Sequence, residues 1–217
     1  MVERYKILWE GGTGELVEKK SRFIADTKPA ESEEEALEFI ESVRKKYWDA
    51  RHHCFAYCIG DRNQIQRCSD DGEPSQTAGR PMLDVLLGEE IHNVCVVVTR
   101  YFGGTLLGTG GLVRAYSGAV QEGLKNSQVL EKCLGRRLKI ETDYTGIGKI
   151  QYILGQRKLT VLNTEYTDRV KLKVMVPFSE TDSLKAEITE GTNGRAGIEE
   201  GEPVYYGVAQ KEVVVFD

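Results

Sequence analysis

The chain has 217 residues, of which 40% are hydrophobic and 29% charged, and its formal net charge is −5. No run approaches the roughly 20 apolar residues that a membrane helix needs, so we expect no membrane span and no membrane partner. The charged opening segment lacks an apolar signal core, which predicts a cytoplasmic protein. The acidic balance argues against a protein that coats DNA through a basic surface.

The first half predicts strands and helices in mixed order. Residues 4–28 read as extended, with a glycine turn at 11–14. Ser32 and Glu35 form a capping-box pattern at the start of a helix, and the next apolar side chains repeat at helical spacing. Further along, we predict strands at 53–59, 64–68 and 93–99, and helices at 81–87 and 112–124. The strand at 93–99 is nearly all apolar, as in a strand buried on both faces.

The pattern resets around 128–136, which places a domain boundary there and predicts domains at 1–132 and 136–217. The second half reads as strand, helix, strand, strand, helix, strand, at 137–143, 145–156, 159–166, 169–176, 180–190 and 202–209. This βαββαβ order is typical of a ferredoxin-like domain. The valine triplet within 211–217 predicts an additional edge strand. The fold class is therefore α+β with two domains.

A glycine-rich segment follows the buried strand and leads into a helix. Residues 103–111 hold five glycines, and no Asp or Glu occurs from Ile91 to Gln121. Exposed backbone N–H groups and a helix N-terminus favour anions, and Arg100 and Arg114 could pair with phosphate. The segment matches neither a Walker loop nor a dinucleotide-binding loop. Tight turns and close helix packing are the alternative explanation for these glycines.

An acidic loop, 69–81, contains Asp70, Asp71 and Glu73. These carboxylates could hold a hard cation, but their spacing matches no calcium loop. Alternatively, Ser75 and Thr77 cap the following helix while Asp70 makes a turn, or the loop forms a second wall of a ligand groove. No metal or other cofactor is assigned.

Histidine and cysteine side chains offer little support for catalysis. His53 and Cys54 are neighbours on a predicted strand, so their side chains point to opposite faces, whereas His52 and Cys54 could share one. We place His53 as a polar group in the same groove. The five cysteines are irregularly spaced, which favours free and mostly buried thiols over a zinc site.

Several segments together resemble the YigZ/IMPACT family. They are SRFIA at 21–25, ARHHCFAY at 50–57, SDDGEPSQTAGRPMLDVL at 69–86 and VVVTRYFGGTLLGTGGLVRAYSGAV at 96–120. The resemblance implies that the first domain is a two-layer α/β domain with the fold of elongation factor G domain IV. It implies a ferredoxin-like second domain, and a role in regulating translation. One departure is the stretch 105–108, where family members usually carry a lysine.

The resulting hypothesis is a translational regulator that binds RNA or the ribosome through an anion-binding groove. The predicted groove residues are His53, Ser75, Thr77, Arg80, Arg100, Gly103, Gly104, Gly108, Gly110, Gly111 and Arg114. Two alternatives stay open. The first is an enzyme acting on a phosphorylated or carboxylated small molecule, for which no catalytic residue can be assigned. The second is a regulator that binds only another protein.

Overall fold

A computed structural model describes residues 2–210 and 212–216 of the chain. The chain divides into two compact units, residues 1–130 and 131–217. Each combines helices with antiparallel strands, so the protein is an α+β protein of two domains, as the sequence predicted.

The first unit is built on a five-stranded sheet. Its elements are β1 (Arg4–Glu10), β2 (Thr13–Glu18), β3 (Ser21–Pro29), α1 (Glu33–Lys46), β4 (His52–Ile59), β5 (Ile65–Ser69), α2 (Gly79–Gly88), β6 (Ile91–His92), β7 (Val94–Tyr101) and α3 (Thr109–Lys125). The sheet order is β2-β3-β7-β4-β5, and all neighbours are antiparallel. β1 makes a short parallel pair with β6.

The central strand β7 is buried on both faces, which confirms the interpretation of its apolar run. Val94, Val96 and Val98 belong to the larger core, which also includes side chains of α2 and α3. Cys95 and Val97 point the other way, into a smaller core with α1. Helices therefore cover both faces of the sheet, which gives this domain three layers where the resemblance implied two. β7 carries its C-terminal end directly into the glycine-rich segment.

Helix α1 begins as its capping pattern predicts. The Ser32 hydroxyl accepts a hydrogen bond from the Glu35 N–H at 3.2 Å, and the Glu35 carboxylate accepts one from the Glu31 N–H at 2.8 Å. These bonds satisfy two backbone donors at the helix start. The buried residues Ala36, Ile40 and Val43 form the predicted apolar face.

Four details of the first unit differ from the sequence prediction. α2 begins at Gly79, two residues early, and α3 begins at Thr109, three residues early. In both cases glycines that indicated a loop have helical backbone geometry. The turn at 19–20 was not predicted, because it lacks the Gly or Pro that usually indicates a turn. The strand β6 was not predicted, because its two residues are too few to show an alternating pattern.

The second unit contains β8 (Gln128–Thr142, which begins before the unit boundary), α4 (Ile147–Gln156), β9 (Thr160–Tyr166), β10 (Val170–Pro177), α5 (Thr181–Gly191), β11 (Gly197–Ala209) and β12 (Glu212–Phe216), with one 3₁₀ turn at Phe178–Glu180. Its antiparallel sheet has the order β12-β11-β8-β10-β9. Without β12, this is the ferredoxin-like arrangement of a βαββαβ unit, as predicted.

The strand predicted at 137–143 begins nine residues earlier, at Gln128, because β8 runs without a break through the stretch where the sequence pattern resets. Gly135 lies inside this strand, where a Cβ would come within 2.5 Å of the Tyr206 ring. β11 likewise begins five residues earlier than predicted. The predicted edge strand is present as β12, while Lys211 and Asp217 lie outside the described residues.

Candidate anion-binding site

The glycine-rich segment connects β7 to α3 and exposes its backbone. Gly104 and Gly108 have positive φ angles of 84° and 71°, and a Cβ at either position would meet nothing within 4 Å. They are glycines because of backbone conformation, since L side chains rarely adopt these angles. Gly103 and Gly111 serve packing instead. A Cβ on Gly103 would lie 2.1 Å from the Lys20 backbone, and one on Gly111 would lie 2.9 Å from the Leu107 Cβ.

The N-terminus of α3 presents free backbone donors. The first intrahelical bond runs from the Leu112 N–H to the Gly108 carbonyl, so the N–H groups of residues 109–111 have no acceptor within the helix. Within the described part of the chain, no side chain caps this end and its first turn holds no acidic residue. The helix dipole adds a partial positive charge of roughly half a unit here.

Arg114 brings a full positive charge to the same place. Its Nη1 atom lies 3.6 Å from the position that a Cβ on Gly110 would occupy, so the guanidinium folds back over the first turn of α3. The side chain is exposed, and it makes no ion pair among the residues that the structure describes. A guanidinium beside free N–H groups can bind an anion such as a phosphate.

The β2–β3 turn lies against the other end of the glycine-rich segment. The Gly103 N–H donates to the Ser21 hydroxyl at 3.0 Å, and Gly103 also packs against the Lys20 backbone. Lys19 and Lys20 form this turn and are both exposed. Sequence reasoning missed them as part of the site, because the turn is far from the segment along the chain.

Arg100 does not present the open guanidinium that the sequence analysis assigned to it. Its Nη1 donates to Glu73 Oε1 at 2.6 Å, and the two side chains are only 8% and 4% exposed. Tyr116 donates to the same carboxylate oxygen at 2.9 Å. Burial raises the pKa of the Tyr116 hydroxyl far above its ordinary value, which keeps it protonated as a donor. Arg100 therefore neutralises a buried carboxylate and is not free to pair with phosphate.

The acidic loop is occupied with structural hydrogen bonds. Asp70 accepts from the N–H groups of Ala78 and Gly79 at the start of α2, and from that of Gln76. Asp71 accepts from the His53 N–H at 2.7 Å. No cluster of three or more His, Cys, Asp or Glu side chains suited to a metal ion occurs within residues 2–210 and 212–216. Asp70 therefore caps a helix and Asp71 fixes the loop against β4, as expected if the loop's carboxylates form turns and caps rather than a cation site.

The capping assignment for Ser75 and Thr77 is wrong, since Asp70 caps α2 in their place. Thr77 is buried and donates to the Pro74 carbonyl at 2.6 Å, while Ser75 is exposed. Arg80 pairs with Asp84 on the surface of α2 and lines a separate cleft of about 350 Å³ with Cys68 and Ser69. The hydrogen-bond partner of Thr77 and the ion-pair partner of Arg80 therefore lie outside the glycine-rich segment.

The adjacent His52, rather than the predicted groove residue His53, lines the cleft beside Phe102. The His53 side chain is buried, and its Nε2 donates to the Tyr47 carbonyl at 3.0 Å, near the end of α1. His52 lies on the other face of β4 with Cys54, as the strand alternation predicts. It lines a cleft of about 530 Å³ with Arg100 and Phe102. The sequence could not show which of the two adjacent histidines would line the cleft, because that depends on which face of β4 is covered by α1.

Cys54 is not an activated nucleophile. Its Sγ donates to the Asp70 carbonyl at 3.0 Å, and burial raises its pKa well above the ordinary range. Burial also raises the pKa of the Cys58 thiol to about 12. Four of the five cysteines are buried and, within the described residues, none forms a disulfide, which confirms the expected thiol state.

Known proteins resemble the chain over both units. A family model described as "Impact N-terminal domain" matches residues 19–124, and one described as "Domain of unknown function (DUF1949)" matches 140–195. IMPACT family member YvyE of Bacillus subtilis is 43% identical over 205 residues, covering 94% of each chain. The chain belongs to the IMPACT family. Residues 19–124 include the glycine-rich segment, so the candidate site lies within the matched domain.

Other IMPACT relatives differ in how much of the chain they share. IMPACT family member YigZ of Escherichia coli is 39% identical and covers 81% of this chain and 87% of its own. Human Protein IMPACT is 29% identical over 59% of this chain and 42% of its own length. A crystal structure of a hypothetical protein superposes with a TM-score of 0.59 at 36% identity, covering 93% of this chain and 99% of that one.

The helices of the structure also bear on membrane association. Over residues 2–210 and 212–216, no helix has the length and apolar character that crossing a bilayer requires.

Proposed function

We propose that this IMPACT family protein is a cytoplasmic regulator of translation that binds RNA, free or in the ribosome, through the N-terminus of α3. The observation that carries the proposal is the position of the Arg114 guanidinium over a helix start whose first N–H groups are free. Membership of the IMPACT family supports a regulatory role.

The charge distribution around this point favours a phosphate chain over a neutral ligand. The chain as a whole is acidic, yet residues 91–121 hold no carboxylate. Lys19 and Lys20 add two exposed cations at the Gly103 end, and Arg114 adds one at the α3 end. Cations spread along an exposed backbone suit successive phosphates of a nucleic acid, because each can neutralise one phosphate.

Of the residues predicted for the groove, the proposal retains the glycine-rich segment and Arg114. Gly104 and Gly108 allow the exposed turn, while Gly110 leaves the first turn of α3 open beneath Arg114. Arg100 has a supporting role, since its charge is neutralised by Glu73. The proposal is one of binding without turnover, and among the described residues no cluster suited to a metal ion occurs.

The test compares RNA affinity at several salt concentrations for the wild type, Arg114→Gln and Arg62→Gln. Arg62 is a matched control: it is an exposed arginine of the same unit in the β4–β5 turn, beyond the opposite end of β4 from His52. We expect Arg114→Gln to weaken binding and to reduce the slope of log affinity against log salt by about one. Equal affinities and slopes for the three proteins, or no RNA binding by the wild type, would contradict the proposal.

A further inference from the structure

A cleft of about 530 Å³ lies beside the glycine-rich segment, between the start of β4 and the end of β7. Its walls include His52, Arg100, Phe102 and Leu106. The volume falls within the roughly 300–1,000 Å³ of small-molecule sites. Leu106 precedes Gly108 by two residues, so their Cα atoms are at most about 8 Å apart. The cleft and the α3 N-terminus are therefore close enough to contact one nucleotide together.

One wall of this cleft is an ordered stack of aromatic and cationic groups. The Arg100 guanidinium carbon lies 5.4 Å from the centroid of the Phe23 ring and 5.6 Å from that of the Phe102 ring. Phe23 in turn makes an edge-to-face contact with Tyr116, with centroids 5.1 Å apart. Phe102 is the outer member of the stack and is 58% exposed. It is an aromatic ring presented to solvent on a rigid support.

Glu73 holds this stack in place. Its Oε1 atom accepts from both Arg100 and Tyr116, so the ion pair, the hydrogen bond and the ring contacts close a loop of four buried residues. A buried ion pair contributes little to net stability, because desolvation offsets most of its attraction. Its consequence here is geometric, since it fixes the guanidinium on which Phe102 rests.

The rim of the cleft supplies polar and apolar contacts. The Asp71 carbonyl can only accept, so the Nδ1 of His52 donates to it at 2.8 Å, which fixes the orientation of the ring and leaves Nε2 without this contact. Leu106 is 82% exposed. The Asp49 carboxylate, also in the cleft, accepts from the Tyr101 hydroxyl at 2.7 Å. The site thus combines an aromatic platform, an apolar edge and a hydrogen-bond acceptor.

We propose that this cleft holds an unpaired base of single-stranded RNA, stacked on Phe102, while a neighbouring phosphate lies at the α3 N-terminus. The inference rests on the proposed function and adds its substrate class. Bases within a duplex are stacked on each other and cannot offer a face to Phe102. Glu73 acts as a positioning residue, since it does not line the cleft and reaches the base only through Arg100 and Phe102.

The experiment measures binding of a short oligoadenylate and of a strand of equal length that lacks the bases. We expect the wild type to prefer the oligoadenylate. Phe102→Leu should weaken that binding roughly fivefold or more and leave binding of the abasic strand unchanged. The matched control is Phe178→Leu in the second unit. Phe178 is also exposed, and its ring centroid lies 5.0 Å from the guanidinium carbon of Arg136. The Phe178→Leu substitution should change neither the affinity for the oligoadenylate nor that for the abasic strand.

The outcomes separate this inference from the proposed function. If the wild type binds both strands equally, or if Phe102→Leu keeps the full preference for the oligoadenylate, base stacking is refuted while binding of the RNA backbone stands. If neither strand binds, both proposals fail. Glu73→Gln provides a second readout. If Glu73 positions Phe102, the Glu73→Gln variant should show a smaller ratio of oligoadenylate affinity to abasic-strand affinity than the wild type. If Glu73 is purely structural, the substitution should weaken binding of both strands equally.

Discussion

Arg100 shows how burial changes the role of a charged residue. Its guanidinium is paired with Glu73 in the core of the first unit, where each group depends on the other for charge neutralisation. Arg80 and Asp84 are paired at 2.8 Å as well, but on an exposed helix surface. Losing one partner of a buried pair leaves an uncompensated charge, while an exposed group is solvated by water.

We therefore predict that Arg100→Ala lowers the free energy of unfolding by about 3–5 kcal/mol. The control Arg80→Ala should lower it by less than about 1 kcal/mol. Urea denaturation of the two variants and the wild type measures both changes. Similar losses of unfolding free energy in the two variants would show that the Arg100–Glu73 pair is not a buried ion pair.

Individual residues of the site were only partly predictable from sequence. The glycines and Arg114 could be identified because an acid-free, glycine-rich stretch before a helix has a direct electrostatic meaning. The buried ion pair of Arg100 could not be predicted, because its partner Glu73 lies 27 positions away and nothing local indicates the contact. Choosing between His52 and His53 required knowing which face of β4 lies under α1.

The start of α2 shows how the acidic loop shapes a whole element. Asp70 lies eight and nine residues before the two N–H groups, of Ala78 and Gly79, that its Oδ1 accepts. The loop therefore folds back so that a carboxylate meets the positive end of the helix, which satisfies backbone donors that are otherwise unpaired.

We predict that Asp70→Ala lowers the free energy of unfolding by about 1–2 kcal/mol, the usual effect of losing an N-terminal cap. Asp84→Ala is the control, because Asp84 lies on the exposed surface of the same helix. It should lower the free energy of unfolding by less than about 1 kcal/mol. Chemical denaturation distinguishes the two, and an Asp70→Ala variant as stable as the wild type would refute the capping role.

Elements with a strong local pattern were the ones that sequence predicted well. α1 has its capping residues and apolar face within one segment, and β7 has an unbroken apolar run. The early starts of α2 and α3 and the length of β8 were missed for a common reason. Glycine has no side chain to indicate its surroundings, and tertiary contacts decide whether it continues an element.

At the scale of the molecule, the class of fold followed from the order of elements. The βαββαβ order and the resemblance to the IMPACT family both indicated two α+β domains, and the structure and the relatives agree. The clustering of Lys19 and Lys20 with the glycine-rich segment could not be predicted. It results from antiparallel pairing of β3 with β7, which places Arg22 opposite Tyr101.

Co-sedimentation of the full chain with ribosomal subunits measures whether the N-terminus of α3 binds ribosomal RNA. It compares the wild type, Arg114→Gln and Arg62→Gln at low and moderate salt. We expect the wild type and Arg62→Gln to sediment with subunits at low salt and less at moderate salt, and Arg114→Gln to sediment less than both. Sedimentation of Arg114→Gln equal to that of the wild type, or no sedimentation of the wild type at either salt, would contradict the proposal.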